Sequence, residues 1–373
     1  MELIYFFCGS ICLYSLFTIY FTLGLHRLKL FKTESSLPTI SIIVAVRNEE
    51  SNLQLLLKSL VEQDYPKEKM EIVVVNDRST DNSWEIINDF SELYPFVKGI
   101  KLDEKNNEMT PKKYALTCGI NNTDGKIILS TDGDCVVPKG RSISMVSAFK
   151  ENTGIVVGRS SINLSTSSFF NKYQSLDFLG IMSANAGAIG WKNGWSGSGQ
   201  NIAYTRKAFE KIGGFLPVAE AISGDDMYLV QSISKHYDVQ FNIDPKSFIY
   251  TEPVQSIKDF MNQRIRWASN SRSLWRSNIF FLTFLVVAYI SNSIFIASLW
   301  DDKLLSIIPF IFIIKIISDG LVLYTGSLKL NVSFDKFHFF IWSILQPIYI
   351  PITGILGLFR WFKWKELYVN ESA

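Results

Sequence analysis

The chain is poor in cysteine, has almost no net charge, and lacks low-complexity sequence. Four cysteines in 373 residues are too few for a disulfide scaffold. Cys8 and Cys12 lie in an apolar run, and Cys118 and Cys135 lack metal-site spacing. They read as reduced thiols of a cytosolic compartment. Lys and Arg number 37 against 35 Asp and Glu, a formal net charge of +2. That balance lacks the basic excess of a nucleic-acid-binding domain, so no nucleic-acid partner is expected. There are no internal repeats and no low-complexity linker. What is present is apolar: 47% hydrophobic and only 19% charged residues, which excludes intrinsic disorder. The length allows two or three domains and a sizeable core. The aromatic share of 14%, with 28 Phe, and a positive mean hydropathy point to membrane segments.

Residues 3–25 are nearly uncharged and long enough to cross a bilayer as a helix. The positive charge that opens a cleaved signal peptide is missing before this run, whereas His26, Arg27, Lys29 and Lys32 follow it. The positive-inside rule then puts the N-terminus outside and the next residues in the cytoplasm, as for an uncleaved signal anchor over 1–32. Three more apolar runs cover about 278–300, 304–325 and 337–359. The polar stretch 33–276 is expected to form one cytosolic module, and 277–373 a membrane domain of two or three spans with a basic aromatic tail. The parity is uncomfortable. One N-terminal and three C-terminal spans put the C-terminus outside, yet Arg360, Trp361, Phe362, Lys363, Trp364 and Lys365 favour a cytoplasmic interface. Pro347, Pro351 and Gly354 could make the last run re-entrant, packed on protein or lining a cavity. Both arrangements stay open. Lys315 and Asp319, four apart in an apolar run, share a helix face and can neutralise each other. They read as a packing pair or as a lining for a head group or sugar path.

In the polar module, 39–46 is a β-branched run suited to a buried strand. Leu53, Leu56, Leu57, Leu60 and Val61 then follow at helical spacing. A second strand covers 71–75 and ends at Asn76 and Asp77, with Thr80 or Asp81 placed to cap the next helix. A strand near 97–102, a helix over 111–120 and a strand over 126–130 complete the pattern. Such alternation builds a mostly parallel sheet with helices on both faces, and ligands bind at the carboxyl ends of its strands. Arg47, Asn48 and Glu49, then Asn76 and Asp77, then Asp132, Gly133 and Asp134 all fall at such ends and should converge on one cleft.

The chemistry of these clusters is that of acidic groups and a cation. Asp132 and Asp134 flank a glycine and can hold a hard divalent ion, although turns also use Asp and Gly freely. Ser223, Gly224, Asp225 and Asp226 precede a helical pattern. They read as an N-cap favoured by the helix dipole or as a general base within reach of a hydroxyl. Gln263, Arg264, Ile265, Arg266 and Trp267 precede a membrane run. They read as a positive-inside flank or as a clamp on diphosphate oxygens beside a stacking surface.

Taken in order, these pieces resemble the family 2 inverting glycosyltransferases, in particular membrane members similar to cellulose, chitin and hyaluronan synthases. The resemblance covers about 38–270. It rests on 44–50, Gln63 to Pro66, 73–81, Pro111 to Leu116, Asp132-Gly133-Asp134 as D-x-D, Gly199 to Tyr204 with Phe209 and Gly213 to Phe215, Gly224-Asp225-Asp226, and a full Q-x-x-R-W at Gln263 to Trp267. Arg47, Asn76, Thr117 and Asp225 depart from the commoner Tyr, Asp, Asn and Glu and blur the choice of sugar. The resemblance implies a GT-A-like fold, a nucleotide-sugar donor, a glycan or lipid acceptor and Mg²⁺ or Mn²⁺. It implies that Ala45, Glu49, Asp77, Lys112 and Asp132 bind the nucleotide-sugar, that Asp134 holds the metal, and that Asp226 with Asp225 is catalytic. Gln263, Arg266 and Trp267 would meet the acceptor and diphosphate, and Trp191 and Trp195 are further candidates for stacking on a sugar. A processive synthase with so few helices would need an oligomer or export partners to enclose its product; a single-transfer enzyme on a lipid would not. A non-catalytic transporter or nucleotide sensor would leave Asp134 and Asp226 idle. A nucleotidyltransferase would leave the Q-x-x-R-W stretch unexplained. A multi-pass protein of the bacterial plasma membrane with a cytoplasmic catalytic domain is the expected setting.

Overall fold

The computed structural model describes residues 2–33, 36–164, 168–364 and 367–368. It divides into two compact units, one of Arg27–Ser161 and Ile189–Glu252, the other of Met1–His26, Ile162–Ala188 and Pro253–Ala373. The first is a sheet with helices, the second a set of long helices.

The sheet begins as the sequence pattern predicts. Strands β1 (Ile40–Val46), β2 (Met70–Asp77), β3 (Val97–Leu102) and β4 (Ile127–Asp132) alternate with helices α2 (Glu50–Val61), α3 (Ser83–Leu93) and α4 (Pro111–Asn121), after an N-terminal helix α1 (Glu2–Arg27). The pleat sorts the two faces. Ile42, Val44, Ile72 and Val74 join Leu53, Leu56, Leu57 and Leu60 of α2 in one core. Ile43 and Val75 point the other way, to α4, where Gly119 lets the helix close in: a Cβ there would lie 2.7 Å from Ile43 Cγ2. Such double coverage explains why β1 is buried along nearly its whole length. The helix after β2 starts at Ser83 with Asn82 as N-cap. Asp81 still accepts from the Ser83 N–H, at 3.1 Å, but Thr80 takes no capping part.

Beyond β4 come α5 (Arg141–Ser147), β5 (Thr153–Gly158), β6 (Ser160–Ile162), α6 (Phe169–Gly190), β7 (Ile202–Thr205), α7 (Arg206–Lys211), α8 (Asp225–Ile233), β8 (Asp238–Asn242) and β9 (Ile249–Thr251). The seven-stranded order is β3-β2-β1-β4-β7-β5-β8, with β6 and β9 as a separate pair. β7 runs antiparallel to both β4 and β5, and the other pairs are parallel. The expected mostly parallel sheet is thus present, interrupted by one reversed strand.

The helical unit holds α1, most of α6, α9 (Ile257–Ser269), α10 (Leu274–Ser277), α11 (Ile279–Ala297), α12 (Asp302–Leu330), α13 (Lys336–Leu358) and a hairpin of β10 (Lys363–Trp364) and β11 (Leu367–Tyr368). Hydropathy divides the chain at 32 and 276 by polarity. Packing groups α6 and α9, inside that polar stretch, with the apolar helices. Four helices are long and apolar enough to cross a membrane: Glu2–Arg27, Ile279–Trp300, Asp302–Leu330 and Lys336–Leu358. α13 continues through Pro347 and Pro351. Lys315 and Asp319 form a buried ion pair at 2.5 Å, and Tyr14 donates to Asp319 at 2.5 Å, an arrangement that locks α1 to α12. Of the basic tail, Lys365 lies outside the described residues.

Gly125 shows how tightly the strand starts are set. Its N–H donates to Ser41 Oγ at 2.9 Å, and a Cβ would lie 2.5 Å from the Ser41 backbone nitrogen. Gly125→Ala is expected to cost about 1–3 kcal/mol through overpacking, read as a lowered thermal midpoint; an unchanged midpoint would refute the close approach.

Candidate active site

The register of the sheet brings separated polar residues level. Ala45 on β1 stands opposite Asp132, the last residue of β4, and Val46 opposite Asn76 on β2. The loops beyond are tied crosswise. Asn48 Oδ1 accepts from the Thr80 N–H (2.8 Å), and the N–H groups of Asn48 and Glu49 donate to Ser79 and Ser83 (both 3.0 Å). At Gly133, between Asp132 and Asp134, a Cβ would come within 3.1 Å of Glu49 Cγ and Val46 Cγ1, a close approach to two side chains.

A cavity opens at the carboxyl ends of β1 and β4. Ala45, Lys112, Leu116, Ser130, Thr131, Asp132, Gly199, Ile202, Phe215, Asp225, Asp226 and Leu229 line it. Three segments bring charge to it. α4 opens on Pro111, so Lys112 sits in the first turn, and its Nζ donates to Asp132 Oδ1 at 2.7 Å. The same Nζ lies 3.9 Å from Asp225 Oδ2. α8 supplies Asp225 and Asp226 from its first turn, after Gly224 with φ +85°. Asp226 accepts from the N–H groups of Gly199 (3.2 Å) and Met227 (2.8 Å).

Burial of acidic groups side by side shapes their proton affinities. Burial, and then the neighbouring Asp225 charge, push the Asp226 carboxyl up to about 6; the Met227 N–H and Lys112 oppose this. Burial and Asp132 raise Asp134 as well. For Lys112, burial disfavours the charge, but Asp132 and Asp225 outweigh it and raise the ammonium pKa. The cation therefore stays charged between the carboxylates.

Not all the residues singled out from the sequence meet here. Ala45, Lys112, Asp132, Asp225 and Asp226 line the cavity, whereas Glu49, Asp77 and Asp134 are not among its lining. Asp77 is buried and held by its neighbour: Arg78 Nε and Nη2 reach its two oxygens at 2.7 and 3.1 Å. The adjacent Asn76 side chain is fully buried with neither amide atom hydrogen-bonded. Gln263, Arg266 and Trp267 lie on α9 of the helical unit. There Gln263 Oε1 accepts from Arg264 at 2.5 Å, and the Arg264 guanidinium lies 4.3 Å from the Trp267 ring centroid. Trp195 is 1% exposed, which leaves no face for a sugar; it is a core residue. Trp191 is exposed, and the Arg27 guanidinium lies 4.3 Å from its ring centroid.

Sequence reasoning gave no individual role to Arg78, Arg141 and Lys113, and it read Arg264 within a flank or a diphosphate clamp. Arg78 pairs with Asp77. Arg141, fully buried, donates to Ser130 O (2.6 Å) and Asn201 Oδ1 (3.0 Å), bracing the end of β4. Lys113, also buried, donates to Ala221 O and Thr110 Oγ1 and ties α4 to the loop ahead of Gly224. Arg264 pairs with Asp177 at 2.7 Å. That pairing corrects the clamp reading for Arg264, whose guanidinium is taken by a buried carboxylate.

Among the described residues no three or more His, Cys, Asp or Glu side chains cluster to hold a metal. Asp132 and Asp134 nevertheless suit one that takes the rest of its shell from diphosphate oxygens and water, as Mg²⁺ does. The raised proton affinity of Asp134, due to burial and then to Asp132, reflects strain that a divalent charge would relieve.

Comparison with known proteins bears on the family and the fold. Residues 41–213 match the family described as Glycosyl transferase family 2. YdaM of Bacillus subtilis, named as a probable glycosyltransferase, is 26% identical over 352 residues, 87% of this chain and 83% of that protein. The poly-β-1,6-N-acetyl-D-glucosamine synthase of Staphylococcus epidermidis is 27% identical, over 67% of this chain and 58% of its own. The β-monoglucosyldiacylglycerol synthase of Nostoc sp. is 29% identical, over 70% and 56%. The match to these two synthases thus spans little more than half their length. Among solved structures, a mannosyltransferase from Pyrobaculum calidifontis in complex with GDP-Man and Mn²⁺ superposes with TM-score 0.61 at 19% identity, covering 98% of each chain. That likeness concerns the fold, which is GT-A-like. The chain carries a glycosyltransferase family 2 domain. The named relatives support a glycosyltransferase, and the four long apolar helices support a membrane protein.

Proposed function

We propose that the protein is a membrane-bound inverting glycosyltransferase. It moves a sugar from a nucleotide-sugar, a UDP-sugar on this reading, to a hydroxyl of a glycan or glycolipid acceptor in cell-surface polysaccharide or glycolipid synthesis. The observation that carries this is the meeting of Lys112, Asp132, Asp225 and Asp226 around one cavity at the strand ends. The catalytic part faces the cytoplasm, on the side of His26, Arg27, Lys29 and Lys32.

In the proposed step, Asp226 accepts the proton of the acceptor hydroxyl while its oxygen attacks the anomeric carbon. The bond from that carbon to the diphosphate oxygen breaks on the opposite face, and the nucleoside diphosphate leaves. One displacement inverts the configuration without a covalent sugar–enzyme intermediate. The Gly199 and Met227 N–H groups orient the Asp226 carboxylate, and burial, followed by the Asp225 charge beside it, keeps its proton affinity high. Lys112 supplies positive charge where the diphosphate charge develops. The roles assigned on this reading are nucleotide-sugar binding for Ala45, Glu49, Asp77 and Asp132, and acceptor and diphosphate recognition for Gln263, Arg266 and Trp267. Mg²⁺ or Mn²⁺ on Asp134, with Asp132, would supply Lewis-acid neutralisation of the leaving group; the Mn²⁺ found with the Pyrobaculum enzyme is in keeping with this.

A second reading is single transfer to a polyprenyl-phosphate or other lipid rather than processive synthesis. Among the described residues four helices could cross a membrane, few for enclosing a growing polymer, and a relative is named for a glucosylated diacylglycerol.

Nucleotide release across a panel of UDP- and GDP-sugars, with product sizing, tests both readings. Asp226→Asn is expected to lower turnover at least a thousandfold while nucleotide binding persists; wild-type turnover in this variant would remove Asp226 from the mechanism. The acid limb is fixed in sign. The base must be ionised, so kcat/KM should fall tenfold per pH unit below an apparent pKa of about 6, and a flat profile down to pH 4.5 would contradict the assignment. Asp134→Ala should weaken the dependence of donor binding on Mn²⁺; an unaltered Mn²⁺ titration would exclude Asp134 as a ligand.

A further inference from the structure

Lys112 and Lys113 are neighbours on α4 and act on the same stretch of chain. Lys112 reaches the carboxylates, with Asp132 Oδ1 at 2.7 Å and Asp225 Oδ2 at 3.9 Å. Lys113 reaches the backbone that leads to them. Its Nζ donates to Ala221 O, ahead of Asp225 in the chain, and to Thr110 Oγ1 at 3.4 Å. Thr110, the residue before α4, donates its own N–H to Ala219 O at 2.9 Å and its hydroxyl to Ala221 O at 3.4 Å. The start of α4 thus holds 219–221 by the carbonyls of Ala219 and Ala221.

The stretch so held has permissive ends. It runs between glycines in the left-handed region: Gly213 (φ +78°) and Gly214 (φ +61°) before it, Gly224 (φ +85°) after it. Glycine enters that region at no steric cost, so these ends restrain the backbone little. Glu220 and Ala221 are exposed, outside any packed core. Residues on either side of the stretch reach the cavity: Phe215 before it, and Asp225 and Asp226 in the first turn of α8 after it. A shift of the chain at Ala221 is therefore passed on to Asp226. In the proposed reaction that carboxylate must stand within hydrogen-bond reach of the acceptor hydroxyl, and an error of about 1 Å in such a placement costs about a hundredfold in rate.

Stability alone does not account for a lysine here. Lys113 is 1% exposed, and the partners its Nζ bonds to are a carbonyl and a hydroxyl, both uncharged. Burial lowers the proton affinity of the amine; Asp225 and Asp226 oppose this through space, and Lys112 adds to it. Both carboxylates of α8 thus lie within electrostatic reach of Lys113. An unbranched apolar side chain would fill the same space without desolvating an ammonium, and exchanges of that kind are often neutral or stabilising. What the lysine adds is the hold on Ala221. We propose that Lys113 is a positioning residue for the transfer: by holding the Ala221 carbonyl it sets Asp225 and Asp226 against Lys112 at the mouth of α8. The inference rests on the reading of Asp226 as the base.

The test uses Lys113→Met in the full chain, which keeps an unbranched stem and removes the donor. With the donor found active among the nucleotide-sugars, kcat should fall about ten- to a hundredfold. The KM for that donor and the Kd for its nucleoside diphosphate should not change, and the thermal midpoint should stay at or above that of the wild type. Hydrogen exchange gives a readout that needs no sugar: the amides of 213–224 should exchange faster in the variant, and those of β1 and β4 at the wild-type rate. Wild-type kcat in Lys113→Met would overturn the proposal. So would a lowered midpoint with nucleotide binding lost in step with kcat, the mark of a purely structural lysine. If Lys113→Met does not fold, Ala221→Gly decides, because it loosens the held carbonyl at an exposed position. It should lower kcat severalfold with nucleotide binding kept, and an unchanged kcat would overturn the proposal. If the wild type itself moves no sugar, the transfer reading fails, and unchanged exchange over 213–224 is then the result that overturns the hold on Ala221.

Discussion

The ammonium of Lys112 stands against three carboxylates that the backbone does not allow to separate. Asp132 is fixed by the end of β4, Asp225 and Asp226 by the first turn of α8, and Lys112 by the first turn of α4. Each anchor depends on something further back. α4 sits where it does because Gly119 lets it close on Ile43 and Val75. The end of β4 is braced by Arg141, whose guanidinium reaches Ser130 O and Asn201. Asn201 in turn donates to Arg159 O and Ser247 O at 2.9 and 2.7 Å. The excess negative charge at the cavity is thus built into the fold, and it is the kind of imbalance that a cation accompanying a ligand corrects.

The first half of the sheet was legible because its signals are local. Apolar runs of β-branched residues, helical spacing in 53–61, and polar residues at strand ends place β1 to β4 and their helices within a residue or two. The D-x-D turn follows from the same reading. The second half was not legible for the opposite reason. β5, β7 and β8 are short, and β7 is reversed between strands far from it in sequence, so its partners are set by tertiary packing. The partner of Asp77 could not be foreseen either: Arg78 folds back on its own neighbour with φ +53°, a conformation that sequence spacing does not announce. Trp195 misleads in another way, since a tryptophan among glycines resembles an exposed platform, yet its side chain is buried.

In the helical unit polar pairs do the work of register. Lipid offers little hydrophobic drive for helix association, so buried polar contacts and small residues set which helices meet. Asp177 of α6 takes Arg264 of α9 as well as Trp342 and Tyr349 of α13, and so gathers three helices on one carboxylate. Removing either member of such a pair leaves a buried charge unpaired, a loss of several kcal/mol. Two arginines two residues apart in the Q-x-x-R-W stretch therefore differ in kind. Arg264 is committed to structure through Asp177, and it is to Arg266 that the proposed reaction assigns the diphosphate.

This division also explains why sugar identity is the hardest property to read. In the proposed reaction the carboxylates and Lys112 address a proton and a diphosphate, which nucleotide-sugar transfers share whatever the sugar. Discrimination between sugars rests on hydroxyl and acetamido contacts, and a single such contact is worth few kcal/mol unless it leaves a buried polar group unpaired. The two synthases aligned with this chain are named for different sugars and for acceptors as unlike as a polymer and a diacylglycerol. A common sheet can serve both only if the acceptor is sorted elsewhere. In a membrane protein the natural place is the helices that meet the lipid, because changes there leave the charge balance at Lys112 undisturbed.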